Sequence, residues 1–386
     1  MKKALIVAHV ASMIDLFNRD NIILLQKKGY VVDIACNFSN GNVTSSQRLQ
    51  EFKEELITMK VNIHHIPFPR KISALNELIL SYKLLRNILL RNNYQLVHCQ
   101  SPIAGVLTRI TCKNTNSCIK LLYMAHGFHF YYGASLLNWI IYYNIEKYCA
   151  KYTDVILTIN KEDFNLALKK FKKTRAIHYV PGVGVDNEKI NSIVVSKEEK
   201  LKDLGIPIGA TIFISVGELN KNKNHQAVIK ALADLDIRNI YYIICGIGPL
   251  QPMLIQLINN CNLNKNVKLL EYREDIIELL KISDAFVFPS KREGLSLSVM
   301  EAMSAGLPVL CSNIRGNVDL INHGEGGYLF KYNDIKTISN YMDIISNNKE
   351  LRRKMGLINK KNIENKDIKK VNQIMSSIYD ELEVLT

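Results

Sequence analysis

No C-x-x-C pair, internal repeat or low-complexity tract occurs in this chain. Its eight cysteines, at 36, 99, 112, 118, 149, 245, 261 and 311, are scattered, and several fall inside apolar runs such as DIACN and YYIICG. Thiols dispersed in this way make no zinc site and read as reduced, mostly buried groups of a cytoplasmic protein. The opening MKKALIVAHV has a basic start, but its apolar run spans only Ala4 to Ala8 and polar residues follow. It is expected to be neither a signal peptide nor a spanning helix, and reads as the first strand of a sheet. Basic residues exceed acidic ones, 50 to 36, yet no DNA- or RNA-binding motif accompanies the excess, so nucleic acid is not the expected partner.

What is present is the composition of a globular protein: 386 residues, 47% apolar and 22% charged, enough for two domains that each bury a core. Short apolar runs alternate with helical stretches throughout. KALIVAH, YVVDIAC, LVHCQ, IKLLYMA, DVILTI and AIHYV read as strands in the first half, and His64 and His65 as a strand and its turn. TIFISVG, IYYIICG, VKLLE, AFVFPS and PVLCS repeat the pattern in the second half. DLFNRDNIILLQKKG and residues 76–91 read as helices between them. Near-continuous apolar strands with intervening helices imply parallel sheets covered on both faces. Pro181, Gly182 and Gly184 punctuate the chain near PGVGVDNEK, which predicts an α/β protein of two Rossmann-like domains, residues 1–184 and 185–365. Ligands of such sheets bind at the carboxyl ends of strands, so two facing domains are expected to form a cleft.

The stretch from Pro289 to Ile321 carries most of the chemical information. Glu293 and Glu301 stand eight positions apart, bracketing a strand end, the loop REGLSLS and a helix start. The backbone amides from Gly294 through Leu295, Ser296 and Leu297 precede a helix N-terminus worth roughly half a unit of positive charge, a setting that suits a phosphate. A diphosphate on those amides, with a carboxylate on either side accepting from hydroxyls, outlines a bound nucleotide sugar. Two plainer readings stay open. Ser298 and Glu301 fit a capping box, S-x-x-E, and Glu293 beside Arg292 fits a solvated ion pair.

Five separated segments occur together: the glutamate pair with its flanking Pro-Ser and Glu-Ala-Met-x-x-Gly-x-Pro-Val, HCQSPIAGVLTRI at 98–110, AHGFHF and its continuation at 125–163, PGVGVD at 181–186, and SVGELNKNKNH at 215–225. In this order they resemble the retaining glycosyltransferases of family 4, which have the GT-B fold, and in particular the branch that builds bacterial capsule, exopolysaccharide and O-antigen repeat units. The resemblance implies a helix, residues 366–386, crossing back to the first domain. It implies donor contacts from Lys223 on the diphosphate, from Gly246 near the nucleotide and from the backbone beside Arg273 on a base expected to be uracil. Glu301 would hold the ribose and Glu293 the transferred sugar. Glu218 departs from the pattern, standing where relatives keep an arginine. His126, before Gly127, is expected to hydrogen-bond the sugar, with His129, Tyr131 and Tyr132 adding polar and stacking surface. His9, Ser12 and Asp15 on the loop after the first strand, and His98 and Gln100 at another strand end, are the candidate acceptor contacts. The catalytic set is thus Glu293, His126 and Lys223. No cofactor and no metal are expected, no D-x-D pair being assigned to hold a cation on the diphosphate.

Residues 1–185 carry 24 basic against 11 acidic residues, a net of +13, and residues 186–386 carry 26 against 25, a net of +1. A basic first domain suits a lipid-diphosphate-linked saccharide in an anionic membrane. LKKFKKTR at 168–175 and LLRNILLRNNY at 84–94 interleave basic and apolar residues as surface-bound segments do; the plainer reading is a basic face that keeps the protein soluble. The expected function is transfer of a hexose or N-acetylhexosamine from a UDP-sugar to such an acceptor, at the inner face of the plasma membrane. A nucleotide-sugar epimerase of the same fold and an inactive UDP-binding scaffold are the alternatives.

Overall fold

The computed structural model describes residues 1–42, 44–115, 118–235 and 239–384. The chain forms two compact units, Met1–Val183 joined by the segment from Val371 onward, and Gly184–Lys370. Among the described residues no helix is long and apolar enough to cross a membrane.

The first unit is built on seven strands: β1 (Lys2–Val10), β2 (Tyr30–Asn37), β3 (Asn62–His65), β4 (Leu96–Gln100), β5 (Lys120–Ala125), β6 (Val155–Thr158) and β7 (Ala176–Tyr179). All neighbours are parallel, in the order β3-β2-β1-β4-β5-β6-β7. Leu5, Ile6, Val7, Val97, Leu122, Ile156 and Leu157 are buried, because helices cover both faces of the sheet. The order of addition reverses between β1 and β4, which opens a crevice beyond their carboxyl ends.

The second unit repeats the plan with β8 (Thr211–Val216), β9 (Ile240–Cys245), β10 (Val267–Leu269), β11 (Ala285–Phe288), β12 (Val309–Ser312) and β13 (Gly327–Phe330), parallel in the order β10-β9-β8-β11-β12-β13. Alternate residues of each strand feed two cores: Phe213, Tyr242, Ala285 and Val287 on one face, Ile212, Ile214, Phe286 and Phe288 on the other. Here the order reverses between β8 and β11.

Three details differ from expectation. β1 runs without a loop into a helix, Ala11–Phe17, so Ser12 and Asp15 are helical and His9 is still in the strand. The helical stretch after it breaks at Asn18, whose side-chain amide donates to the Met13 carbonyl, and resumes as Arg19–Lys27. Strand β13 was not foreseen because GYLF is four residues long and opens on the last glycine of a GEGG run that reads as loop. The last helix, Ile368–Val384, buries Val371, Met375, Ile378, Tyr379 and Leu382, an apolar stripe at helical spacing, in the first unit.

Candidate active site

In the second unit, the loops leaving β8 and β11 meet at the reversal point. The asparagines of NKNKN shape the first of them. Asn220 Oδ1 accepts from the amides of Asn222 and Lys223, each at 2.9 Å. Asn224 takes a left-handed backbone, φ +57°, and its amide donates to the carbonyls of Pro289 (3.2 Å) and Tyr332 (2.8 Å). The Lys291 amide donates to Asn222 O at 2.8 Å, and Asn222 Nδ2 donates to Arg292 O at 2.9 Å. These bonds staple the loops together and set Lys223 Nζ 2.8 Å from Glu293 Oε1, with the ammonium 4.6 Å from the Phe288 ring centre. Glu293 is therefore an ion-pair residue, as one plain reading held, but its partner is Lys223 and the pair is mostly out of solvent, at 12% and 20% side-chain exposure.

The loop after Glu293 is held from behind. Arg315 Nε donates to Glu293 O at 3.2 Å. Gly316, at φ +79°, lies so close that a Cβ there would sit 2.2 Å from Gly294 O. Ser296 caps the helix Leu297–Ser304 by accepting from the Val299 amide. The capping box expected at Ser298 is therefore not formed, since the cap falls two residues earlier and Glu301 is displaced from the third helical position. Among the described residues, nothing is paired with the amides of residues 294–297. Glu301 also lacks a hydrogen-bonded side-chain partner among them, and burial pushes its carboxyl up to about 7, against a smaller opposing pull from Lys189.

The other donor-side candidates have structural partners. Glu218 is exposed and accepts from Asn220 Nδ2 at 2.9 Å, so it braces the Lys223 loop through Asn220 and is not the lysine's own partner. A Cβ on Gly246 would lie 2.0 Å from Gly217 O, so glycine there lets the loops after β8 and β9 touch. Arg273 grips Asp275 through both Nε (2.7 Å) and Nη2 (2.6 Å), which holds that carboxyl well below the usual carboxylate range. The chain does contain one D-x-D string, Asp234-Leu235-Asp236. Asp234 stands at the far end of the helix Gln226–Ala233 that follows the Lys223 loop, and Asp236 lies outside the described residues. No cluster of three His, Cys, Asp or Glu suited to a metal ion occurs among the described residues.

In the first unit, His126 and Gln100 come together, with His126 Nε2 2.6 Å from Gln100 Oε1. Burial pushes the imidazole down to about 4, so it is neutral at pH 7 and, facing an amide oxygen, donates from Nε2. Ser101, next to Gln100 and at φ +70°, accepts from the His9 amide at 3.1 Å. Burial, then Arg70, lowers the His9 imidazole. The Ser12 amide donates to Asn42 Oδ1 at 2.8 Å. His98 and Asp15 are elsewhere engaged. His98 is fully buried, not at the strand's exposed end, and meets the Tyr379 hydroxyl through Nδ1 at 2.8 Å; burial drives it down to about 3. Asp15 is committed to Arg48, by two bonds of 2.9 Å, and to Arg19.

Arg315, Gly316 and the three asparagines were missed in the sequence. Their signals were an Arg-Gly pair just beyond the apolar run PVLCS and the repeated asparagines of a turn-rich loop.

Residues 22–188 match the family described as "Glycosyltransferase Family 4", and residues 196–362 match "Glycosyl transferases group 1". The chain is 33% identical to the putative glycosyltransferase EpsD of Bacillus subtilis, covering 71% of this chain and 73% of that protein. It is 32% identical to the UDP-Gal:alpha-D-GlcNAc-diphosphoundecaprenol alpha-1,3-galactosyltransferase of Escherichia coli, over 76% of this chain and 75% of that one. Among solved structures, Anabaena HepE in complex with UDP and glucose superposes with a TM-score of 0.79 at 17% identity, covering 99% of this chain and 100% of that one.

Proposed function

Because the chain belongs to the family 4 glycosyltransferases of GT-B fold, we propose that it moves a hexose or N-acetylhexosamine, with retained anomeric configuration, from a UDP-sugar to a lipid-diphosphate-linked saccharide. The setting is the assembly of bacterial exopolysaccharide or capsule repeat units, as the names of relatives such as the S. aureus capsular glycosyltransferase CapM suggest. The observation that carries the reading is the donor cradle of the second unit. Among the described residues it combines four amides without a partner, a cation at the sheet's reversal point and a half-buried carboxyl, Glu301, with no hydrogen-bonded side-chain partner. A ribose hydroxyl that donates to this carboxylate makes a charge-assisted bond.

In this reading the diphosphate lies on the amides of residues 294–297 with Lys223 as counter-charge, and no metal takes part. Glu293 faces the sugar, orienting its hydroxyls and supporting positive charge at the anomeric carbon. As the bond to UDP lengthens, Lys223, the amides and the helix N-terminus absorb the charge on the leaving oxygen. The acceptor hydroxyl attacks from the same face and passes its proton to that oxygen. Neutral His126, its Nε2–H taken by Gln100, offers Nδ1 as an acceptor to a sugar hydroxyl and is no proton source at pH 7. The basic first unit holds the protein to the inner face of the membrane.

A panel of UDP-sugars, read by UDP release with a lipid-diphosphate-linked saccharide present, tests the proposal. One donor should dominate. Release from none of them, with UDP still bound, would make the protein a UDP-binding scaffold; consumption that ignores the acceptor would favour epimerisation.

A further inference from the structure

Residues 121–145, between Lys120 and Glu146, contain no charged side chain. The later part of this stretch turns outward. Leu136 is 82% exposed, Leu137 63%, Ile140 65% and Ile141 39%, preceded by Tyr132 at 94%. The four aliphatic residues stand at positions i, i+1, i+4 and i+5 of a short helix, Leu136–Asn138, continued as a π-helical turn, Trp139–Tyr143, so they share one face.

The other face is fastened to the first unit. Phe130 meets the Trp139 ring at 5.6 Å and the Tyr143 ring at 5.5 Å, and Tyr142 lies 4.7 Å from His129. Asn138 Nδ2 donates to the His129 carbonyl at 2.9 Å, and Ser135 caps the helix. Aromatic rings thus point inward while aliphatic tips point out. Basic residues border the segment. Lys147 Nζ lies 5.6 Å from the Tyr143 ring, and Lys113 Nζ lies 4.3 Å from the Tyr152 ring and bonds the Tyr148 hydroxyl at 2.9 Å. The nearest acid in sequence, Glu146, is turned inward onto Arg109 at 2.8 Å.

We propose that residues 132–143 are a membrane foot, which lies in the plane of an anionic bilayer and buries Leu136, Leu137, Ile140 and Ile141 among the acyl chains of one leaflet. Lys113, Lys147 and Lys151 meet the phosphates. The inference rests on the lipid-linked acceptor proposed above. Protein interfaces place Tyr, Trp and Arg at their cores and are depleted in Lys. This face has the opposite make-up, aliphatic tips bordered by lysines and tyrosines, which is that of an interfacial helix. Its attachment differs in kind from that of the lysines at 169–173, because apolar burial is not screened by salt.

Co-sedimentation of the full chain with phosphatidylethanolamine–phosphatidylglycerol vesicles across a salt series tests it. The wild type should stay bound at about 0.5 M NaCl, where screening leaves little long-range attraction. Leu136→Ser with Ile140→Ser should lower the partition coefficient about tenfold or more at every salt, with thermal unfolding and UDP-glucose binding unchanged. Leu137→Trp, made with Trp139→Phe so that it holds the only indole, should shift its emission to shorter wavelength on vesicles and be quenched by brominated lipid. Unaltered partition of the double variant, or an emission that vesicles do not change, overturns the foot; so does a double variant that only loses self-association. A wild type that transfers sugar to detergent-dispersed acceptor but binds no vesicle overturns the foot while leaving the transfer reading intact.

Discussion

Glu301 should couple donor binding to pH. Burial raises its carboxyl from 4.5 to about 7, so in the free protein it is half protonated at neutrality. The sign follows directly: a raised carboxyl lets the native state hold its proton between pH 4.5 and 7, so the stability of the free protein declines as pH climbs through that window. A shift of this size corresponds to about 3 kcal/mol. A ribose that donates to Glu301 favours the ionised form. If binding returns the carboxyl to its ordinary range, UDP-sugar affinity should rise about tenfold from pH 6 to pH 8, and about half a proton should leave per ligand at pH 7. UDP-glucose and UDP-N-acetylglucosamine suit the assay because their diphosphates do not titrate in this range. Buried His225, near the site, is pushed down to about 4, chiefly by burial and then by Lys223, and stays silent there. Calorimetry in buffers of different ionisation enthalpy reads the released proton. Glu301→Gln should abolish both the release and the pH slope, and at pH 8 should bind about 1–3 kcal/mol more weakly for want of a charge-assisted bond. An affinity that is flat from pH 6 to 8, or a slope that survives in the glutamine variant, would refute the assignment of Glu301 to the ribose.

Other substitutions separate the remaining roles. Glu293→Gln should cut turnover about a hundredfold while leaving UDP affinity within a few-fold, since a sugar-facing carboxylate acts mainly in the transition state; steady-state kinetics beside UDP titration reads the two apart. Lys223→Ala should damage donor use severely, because its ammonium is the cation held against Glu293 at the reversal point; a KM and kcat near wild type would remove Lys223 from the diphosphate. Gly316→Ala should weaken UDP binding and lower the melting temperature together, since the added Cβ would lie 2.2 Å from Gly294 O. EDTA should spare at least half the activity, and a loss that Mg²⁺ or Mn²⁺ restores would contradict metal-independent transfer. Replacing Lys169, Lys170, Lys172 and Lys173 with glutamate should release the salt-sensitive part of vesicle binding and spare UDP binding; co-sedimentation at low salt reads it.

The alternation of apolar runs and helical stretches was enough to anticipate two parallel sheets, because strands buried on both faces leave an unambiguous pattern. The strand, loop and helix start that bracket Glu293 and Glu301 were equally visible, and they form as β11, the loop after it and the helix Leu297–Ser304. What the sequence hid was local geometry. Ser296 and Ser298 are both good caps, and only the backbone path decides between them. Asn18 interrupts a helix because its side chain competes for the Met13 carbonyl, a bond no periodicity reveals. Arg315 lies 22 residues beyond Glu293, and its contact exists only once β12 is laid beside β11. His98 looked like a strand-end group, yet it points into the interior because Tyr379, 281 residues later, arrives to meet it.

Transfer itself is tested most directly by following an isotopically labelled sugar from an α-linked UDP donor. With the purified protein and a lipid-diphosphate-linked saccharide, the label should appear on the lipid in α linkage, with one UDP released per sugar, and Glu293→Gln should suppress both. A β-linked product, a labelled sugar epimerised on UDP, or label transfer that Glu293→Gln leaves at the wild-type rate would contradict same-face glycosyl transfer at this site.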